Sequence, residues 1–185
     1  MRIALGDVTL QCLLGDIVDQ PDIDALVNAA NAELMPGGGV AGAIHRAAGP
    51  GLATACAPLA PIEPGEAVIT GAFALPNRYV IHCLGPVYGR DEPAAELLAR
   101  CYHAALDLAE ANAVASIAFP AISAGAFGYP IAEAAEVACY TVAGRAQGLG
   151  SVGLIRFVLW SNDAYDAFGV NLVRAAAEAE RRLRQ

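Results

Sequence analysis

Residues 28–45 read Asn28-Ala-Ala-Asn31-Ala-Glu-Leu-Met-Pro-Gly37-Gly38-Gly39-Val40-Ala41-Gly42-Ala-Ile-His45. The apolar run over residues 25–28 predicts a buried strand, and the pattern after the glycines predicts a helix over residues 40–48. Glycines at the start of a helix let backbone N–H groups approach an anion closely, and the helix dipole favours negative charge there. The stretch therefore predicts a strand, an anion-binding loop and a helix, with a flexible turn as the alternative for the glycines.

A second stretch has the same form and reads Ser116-Ile-Ala-Phe-Pro-Ala-Ile-Ser123-Ala124-Gly125-Ala126-Phe127-Gly128-Tyr-Pro130. A buried strand again opens into a glycine-bearing loop that precedes a helix. Two such loops at strand ends in one open sheet predict a shared crevice, in which main-chain amides cradle a diphosphate. The ring of Phe127 either packs against a ribose or a base, or covers the underside of its loop.

Polar residues also follow two other predicted strands. Asp16, in Gly15-Asp16-Ile17, either accepts a hydrogen bond from an exocyclic amine or caps a turn. In Trp160-Ser161-Asn162-Asp163, Ser161 or Asn162 caps the last helix, or Trp160 lines a pocket.

Strand-length apolar runs alternate with helical patterns along the whole chain, which predicts α/β layering in a single domain over residues 1–185. The predicted strands cover residues 3–5, 9–14, 25–28, 67–72, 79–84, 116–119 and 153–159. The predicted helices cover residues 40–48, 51–57, 94–111, 131–147 and 163–183. Three arginines near the end of the last helix, Arg181, Arg182 and Arg184, suit the helix dipole better than a nucleic-acid contact.

The composition excludes several classes of protein. Hydrophobic residues make up 56% of the 185 residues, which is incompatible with intrinsic disorder. A net charge of −8 disfavours binding to nucleic acid or to anionic lipid. All 11 basic residues are arginine, and the lack of lysine excludes Walker-type ATP hydrolysis and Schiff-base chemistry. The chain has no apolar run of about 20 residues and no signal-peptide pattern, so we expect a cytoplasmic protein without a membrane span.

The cysteines and histidines do not form a metal-binding pattern. Five widely spaced cysteines without a C-x-x-C pair predict buried, reduced thiols. His45, His82 and His103 lie far apart without ligand spacing, so we expect neither a metal site nor a cofactor.

Five motifs taken together resemble the macrodomain family. They are Gly15-Asp16-Ile17, residues 24–31, residues 37–50, Tyr79-Val-Ile-His82-Cys-Leu-Gly85-Pro86 and residues 116–130, and they match in order from about residue 6 to residue 160. The resemblance implies a three-layer α/β/α fold around a mixed, six-stranded sheet that binds ADP-ribose. It also implies that Asp16 binds the adenine amine, that the backbone of Ile17 contacts adenine, and that Trp160 lies near adenine.

By the same resemblance Asn31 faces the distal ribose, and two loops wrap the diphosphate and that ribose. The first loop contributes Gly37, Gly38, Gly39, Val40, Ala41 and Gly42, and the second contributes Ser123, Ala124, Gly125, Ala126 and Phe127. Asn28 and Asn162 complete the predicted ligand contacts.

The motifs are most similar to those of the MacroD-type hydrolases, which release ADP-ribose from acidic side chains and deacetylate O-acetyl-ADP-ribose. Those enzymes usually carry an aspartate, proposed as catalytic, where this chain has Ala41. The prediction is a hydrolase of mono-ADP-ribosyl esters on proteins, with Asn31, Gly39 and Phe127 as catalytic positions around a water that the ligand's own phosphate orients. Glu33, Asp91 or Glu92 is a candidate replacement for the missing carboxylate.

The alternative is a reader that binds ADP-ribose or ADP-ribosylated protein without turnover. A module for RNA or poly-ADP-ribose is disfavoured by the acidic charge. The expected partners are therefore ADP-ribose and mono-ADP-ribosylated proteins, with the chain itself expected to be a monomer.

Overall fold

The structure, a computed structural model, describes residues 1–183. These residues form the strands β1 (Arg2–Leu5), β2 (Val8–Leu14), β3 (Ala25–Ala29), β4 (Ala67–Gly71), β5 (Tyr79–Cys83), β6 (Ser116–Phe119) and β7 (Leu154–Leu159). The helices are α1 (Gly39–Ala48), α2 (Pro50–Cys56), α3 (Ala94–Ala111), α4 (Ile131–Ala146) and α5 (Asn162–Leu183), and a short 3-10 helix covers Ala57–Leu59. Arg184, the last of the predicted terminal arginines, lies outside the described residues.

All seven strands belong to one mixed sheet, which confirms the predicted α/β class. The count of six strands that the resemblance implied is wrong, since the sheet has seven. The seventh strand arises because the chain reverses at Gly6-Asp7 and pairs β1 with β2 as an antiparallel hairpin, from Arg2 opposite Gln11 to Leu5 opposite Val8. β1 therefore extends the sheet by one edge strand.

The strand order places the carboxyl ends of five strands along one edge. The order is β1-β2-β7-β6-β3-β5-β4, and the five inner strands run parallel while β1 and β4 are antiparallel. From β3 the chain proceeds to β5 on one side, and it later returns to β6 on the other side. The pair β3 and β6 is therefore a topological switch point, where open α/β sheets bind their ligands.

Apolar side chains cover both faces of the sheet. One face packs against α3, α4 and α5 through fully buried rings, among them Tyr102, Phe119, Phe157 and Phe168, whose neighbouring centroids lie 5.0–6.3 Å apart. The other face packs against α1 and α2 through Ile44 and Leu52. The helices on both sides hold the loops at the carboxyl edge on a rigid base.

All five cysteines are buried and unbridged, as the sequence predicts. Burial raises the pKa of Cys12 to about 11 and that of Cys101 to about 12. These thiols are therefore protonated at neutral pH and serve as small apolar side chains. Among residues 1–183, no helix is both long enough and apolar enough to cross a membrane.

The side chain of Glu110 stabilises the loop between α4 and β7. Its carboxylate accepts hydrogen bonds from the backbone N–H groups of Gly150 (2.7 Å), Ser151 (3.0 Å) and Val152 (2.9 Å), and from the hydroxyl of Ser151 (2.9 Å). Burial raises the pKa of Glu110, but these donors outweigh it and lower the pKa to about 2. The carboxylate therefore stays ionised across the physiological range.

Glu110→Gln is expected to lower the free energy of unfolding at pH 7 by about 1–3 kcal/mol, because the four donors lose a charged acceptor. The native pKa of about 2 lies below the ordinary value of 4.5, so the unfolded chain binds more protons between these values. The stabilisation is complete above pH 4.5 and is lost as the pH falls toward 2. Urea titrations at several pH values measure it. Equal pH dependence in Glu110→Gln and in the exposed control Glu180→Gln would contradict this account.

Candidate functional site

The first glycine loop follows β3 and is closed by the side chain of Asn31. The Oδ1 atom of Asn31 accepts a hydrogen bond from the N–H of Met35, and its Nδ2 donates to the carbonyl of the same residue, both at 2.9 Å. The next residues, Gly37 to Gly39, are exposed, and Gly38 caps α1 without a side-chain hydrogen bond. The side chain of Asn31 therefore fixes the conformation of the loop. The backbone N–H groups at the start of α1 have no hydrogen bond to a capping side chain.

Gly42 allows α1 to approach this loop closely. A Cβ atom on Gly42 would lie only 2.3 Å from the carbonyl oxygen of Gly37, a backbone atom with little freedom to move. The backbone N–H of Gly42 also donates to the carbonyl of Gly38 at 3.3 Å. A residue without a side chain is therefore required at position 42.

The second glycine loop follows β6 and is closed by its own backbone. The N–H of Tyr129 donates to the carbonyl of Ser123 at 3.0 Å, and the N–H of Gly128 donates to the carbonyl of Gly125 at 2.9 Å. Gly125 and Ala126 are exposed at the tip, while Ser123 is buried. A Cβ atom on Gly85 would lie 2.1 Å from the Ser123 hydroxyl, so the loop after β5 packs directly against this one.

Phe127 lies half-buried in the second loop. Its ring packs against the core beneath α1 and α2, and its carbonyl accepts a hydrogen bond from the N–H of Tyr88 at 2.9 Å. The ring therefore covers the underside of the loop, which is the alternative that the sequence left open. Contact between its exposed part and a ribose stays a prediction.

Asp16 and Trp160 lie beyond the carboxyl ends of β2 and β7. The Oδ1 atom of Asp16 accepts a hydrogen bond from the N–H of Val18 at 3.1 Å, so Asp16 does cap a turn. Trp160 is 83% exposed. The hydroxyl of Ser161 accepts from the N–H of Ala164 at 3.2 Å and caps α5, whereas Asn162 is exposed in the first turn. The adenine contacts of Asp16, Ile17 and Trp160 stay predictions.

The parallel strands place these elements in one row. Asp16 follows β2, Trp160 follows β7, the second loop follows β6 and the first loop follows β3, and those four strands are neighbours in this order. The two glycine loops therefore meet at the switch point, with Asp16 and Trp160 toward one end of the row.

The sequence predicts a shared crevice along this row. Cavities of about 590 and 530 Å³ lie elsewhere, one beside β4 and α3 and the other between α3 and α4. Neither is lined by a predicted site residue. The row stays the predicted site, because the backbone N–H groups at the start of α1 lie there without a side-chain cap.

A buried hydrogen-bond network lies beneath α1, and the sequence did not predict it. His82 is fully buried, and its Nδ1 lies 3.1 Å from Nδ2 of Asn28 while its Nε2 lies 2.9 Å from the hydroxyl of Thr70. Because an amide nitrogen only donates, Nδ1 accepts and Nε2 carries the proton. The Thr70 hydroxyl then donates to the carbonyl of Gly71 at 3.0 Å.

Burial keeps His82 neutral at physiological pH. Burial, with a smaller contribution from the charge of His45, lowers the pKa of His82 to about 4. Asn28, a predicted ligand contact, is 1% exposed, and its amide nitrogen bonds to His82. The register of β3 and β5 places Asn28 opposite His82. A polar residue within each of two otherwise apolar strands is the signal by which the sequence could have revealed this network.

His45 is a second buried imidazole, one helical turn after Ala41 in α1. It is 6% exposed, and within residues 1–183 neither ring nitrogen has a hydrogen-bond partner. Burial lowers its pKa, which favours the neutral ring. The spacing of four residues from Ala41 places both positions on one helix face, so His45 is a further candidate functional residue.

The carboxylates predicted as replacements for the missing aspartate differ in whether they already accept hydrogen bonds from their own loop. Asp91 accepts a hydrogen bond from the N–H of Val87 at 2.8 Å and pairs with Arg90, which lowers the pKa of Asp91. Glu92 accepts from the N–H of Ala94 at 2.9 Å. Both carboxylates therefore stabilise their own loop, and Glu33 is the exposed candidate beside Asn31.

A mostly parallel open sheet with glycine loops at its switch point is typical of ligand-binding proteins of the doubly wound α/β class. A model of the Macro domain family matches residues 27–138. The chain is 56% identical to an O-acetyl-ADP-ribose deacetylase of Salmonella gallinarum over 138 residues, which cover 72% of this chain and 76% of that protein. It is also 43% identical to a macro domain-containing protein of Lactiplantibacillus plantarum over 167 residues, or 89% and 96% of the two chains.

Two solved structures are also similar. The Oceanobacillus iheyensis macrodomain with ADP has a TM-score of 0.91 and 40% identity, covering 96% of this chain and 97% of that one. The Trypanosoma brucei macrodomain in complex with ADP-ribose has a TM-score of 0.80 and 37% identity, covering 86% and 67%. This chain belongs to the Macro domain family.

Two helical glycines give a matched test of the close approach in the first loop. Gly144→Ala in α4 meets no atom within 4 Å and is expected to stabilise the protein by up to about 1 kcal/mol through helix propensity. Gly42→Ala gains the same propensity but displaces the Gly37 carbonyl, so we expect a net loss of about 1–3 kcal/mol. Chemical denaturation measures both, and equal effects would show that α1 and the loop have room to separate.

Proposed function

We propose that this protein binds ADP-ribose in the crevice and hydrolyses its esters. The observation that carries the proposal is the meeting of two glycine loops with open amides at the switch point between β3 and β6. Backbone amides bind a diphosphate without any positive side chain, which suits a chain that has no lysine. The similarity to a protein named O-acetyl-ADP-ribose deacetylase supports an ester of ADP-ribose as the substrate.

The proposed ligand lies along the row of strand ends. Asp16 accepts from the adenine amine, since Val18 occupies only the Oδ1 atom of its carboxylate, and the exposed ring of Trp160 lies near the base. The diphosphate lies between the two loops, against amides from Gly37 to Gly42 and from Ser123 to Phe127. The distal ribose then reaches Asn31 and Phe127. Asn28 supports the first loop indirectly, because its hydrogen bond to His82 fixes the end of β3.

The proposed reaction adds water across an ester of the distal ribose. The water oxygen bonds to the carbonyl carbon, and the bond between that carbon and the ribose oxygen breaks. The ribose oxygen takes a proton from the water and becomes a hydroxyl of ADP-ribose, and acetic acid or the protein carboxylic acid leaves. Ala41 provides no base, so the water is oriented by the ligand's phosphate and by the loops that hold it. The finer proposal is that the ester includes mono-ADP-ribose on aspartate or glutamate side chains of proteins.

A non-catalytic reader is the second candidate, and Ala41 is the observation that favours it. A carboxylate at this position would lie on the face of α1 that carries His45, whereas Ala41 leaves that face without an acid. Of the nominated replacements, Asp91 and Glu92 already bind their own loop. Binding without turnover is therefore the outcome that distinguishes a reader from an enzyme.

Asp16→Ala is expected to weaken ADP-ribose binding by roughly 1–3 kcal/mol, since a charge-assisted hydrogen bond to adenine is lost. Asp19→Ala, three residues along the same turn and exposed, is the matched control and should leave the affinity unchanged. Calorimetry with ADP-ribose measures both, and melting curves verify folding. An unchanged dissociation constant for Asp16→Ala would reduce Asp16 to its role in the turn.

The wild-type protein is expected to release ADP-ribose from a glutamate-modified peptide and to deacetylate O-acetyl-ADP-ribose. Because a positioned base typically contributes about 10²–10⁴-fold, its absence slows the reaction without abolishing it. Ala41→Asp should change the rate modestly, and Asn31→Ala should remove most turnover by opening the first loop. Chromatography of released ADP-ribose measures the rates. Normal ADP-ribose binding without release from either substrate would leave the reader as the function.

A further inference from the structure

A buried arginine in β7 holds the loop that carries Asp16. Arg156 is 7% exposed, and its neighbours at alternate positions, Leu154 and Val158, place it on the face of the sheet that packs against α1 and α2. A buried guanidinium is unfavourable unless its N–H groups are paired. The partners of Arg156 therefore show what this charge does in the fold.

Most of these partners belong to the loop between β2 and β3. The Nη1 atom of Arg156 donates to Oε1 of Gln20 and to Oδ1 of Asp22, both at 2.8 Å, and its Nη2 atom donates to Oδ2 of Asp22 at 2.6 Å. The Nε atom donates to Oε1 of Gln11 in β2 at 2.9 Å. The carboxylate of Asp22 balances the charge of Arg156. The hydrogen bond to the neutral side chain of Gln20 therefore does more than balance charge.

The side chain of Gln20 connects Arg156 to Asp16. Because a guanidinium only donates hydrogen bonds, the end of the Gln20 amide that faces Arg156 is the acceptor Oε1. The Nε2 end then donates to the backbone carbonyl of Asp16 at 2.9 Å. Gln20 is 6% exposed, so close packing leaves it little freedom to rotate. The charge of Arg156 therefore sets the direction of the hydrogen bond that the Asp16 carbonyl accepts.

Asp16 is held at two further points. Its carbonyl also accepts from the N–H of Asp19 at 3.1 Å, and its Oδ1 atom accepts from the N–H of Val18 at 3.1 Å. Its Oδ2 atom is the acceptor that the proposed adenine contact uses. Hydrogen bonds weaken steeply when their angle departs from linearity. A small shift of the loop backbone would therefore weaken the contact between Oδ2 and the base.

We propose that Gln20, oriented by Arg156, is a positioning residue that gives the site its preference for adenine over other bases. The inference rests on the proposed function, because it assumes that Asp16 accepts from the adenine amine. Hypoxanthine has a carbonyl oxygen where adenine has the amine, and that oxygen repels a carboxylate. Discrimination between these two bases therefore reports the position of the Asp16 carboxylate, whereas overall affinity also includes the contacts of the two glycine loops.

The test compares ADP-ribose with the analogue that has hypoxanthine in place of adenine, and calorimetry gives both dissociation constants. Gln20→Glu keeps an acceptor for Arg156 but has no N–H group for the Asp16 carbonyl. Arg156→Met keeps Gln20 but removes the charge that orients its amide.

The matched control is Asn77→Ala. Asn77 is 8% exposed, and its Nδ2 atom donates to the carbonyls of Gln20 (2.9 Å) and Ile23 (2.7 Å). It therefore holds the same loop at other points. Melting curves of all variants measure how much stability each one loses.

For the wild type we expect ADP-ribose to bind about 10- to 100-fold more tightly than the analogue, which lacks a charge-assisted hydrogen bond. Gln20→Glu should reduce this ratio to about 3-fold or less. Arg156→Met should reduce it by a smaller factor, because an unoriented amide still reaches the Asp16 carbonyl part of the time. Asn77→Ala should keep the ratio, although it lowers the melting temperature at least as much as Gln20→Glu, since two carbonyls lose their donor.

Failure of this inference is distinguishable from failure of the proposed function. A ratio that Gln20→Glu keeps, or that Asn77→Ala loses to the same extent, would overturn the role of Gln20 while ADP-ribose binding stands. Equal affinity of the wild type for both ligands would overturn the adenine contact of Asp16 and this inference together. No binding of ADP-ribose by the wild type would overturn the proposed function, and this inference with it. If Gln20→Glu does not fold, the ratio of Arg156→Met decides by the same criterion.

Discussion

The pairing of β3 with both β5 and β6 is the constraint on which the site depends. Because β3 is hydrogen-bonded to a strand on each side, and all three run parallel, its carboxyl end lies beside that of β6. Each of those ends continues into a glycine loop and then a helix. If β6 instead paired outside β5, the two loops would lie on opposite sides of β5 and could not enclose one ligand.

The sequence predicts the strands and helices that carry the site well, because each of them depends on a local pattern of apolar residues. The helix over residues 94–111 is observed without change as Ala94–Ala111, since its apolar positions recur every three or four residues. The strand over residues 116–119 likewise coincides with β6, whose four residues are all buried. The two loops follow from the glycines between these elements.

What the sequence does not predict depends on contacts between distant residues. Asn28 and His82 are 54 positions apart and become neighbours only through the register of β3 and β5. The side chain of Asn31 bonds to Met35, because the loop folds back on itself, and the ring of Phe127 lies half-buried on the core beneath α1. Sequence patterns indicate that Asn28, Asn31 and Phe127 are candidate site residues, but packing in the folded chain sets the direction of each side chain.

Two residues in the loops have a backbone conformation that side chains rarely adopt. Leu34 has a φ of +55° and Ser123 a φ of +64°, and such a conformation costs on the order of 1–2 kcal/mol at each residue. Full burial of Leu34, and the packing of Ser123 against Gly85, hold them there. Folding therefore supplies the free energy that holds Leu34 and Ser123 in these backbone conformations. A ligand that binds the loops meets a preorganised surface, so little of its affinity is lost to ordering them.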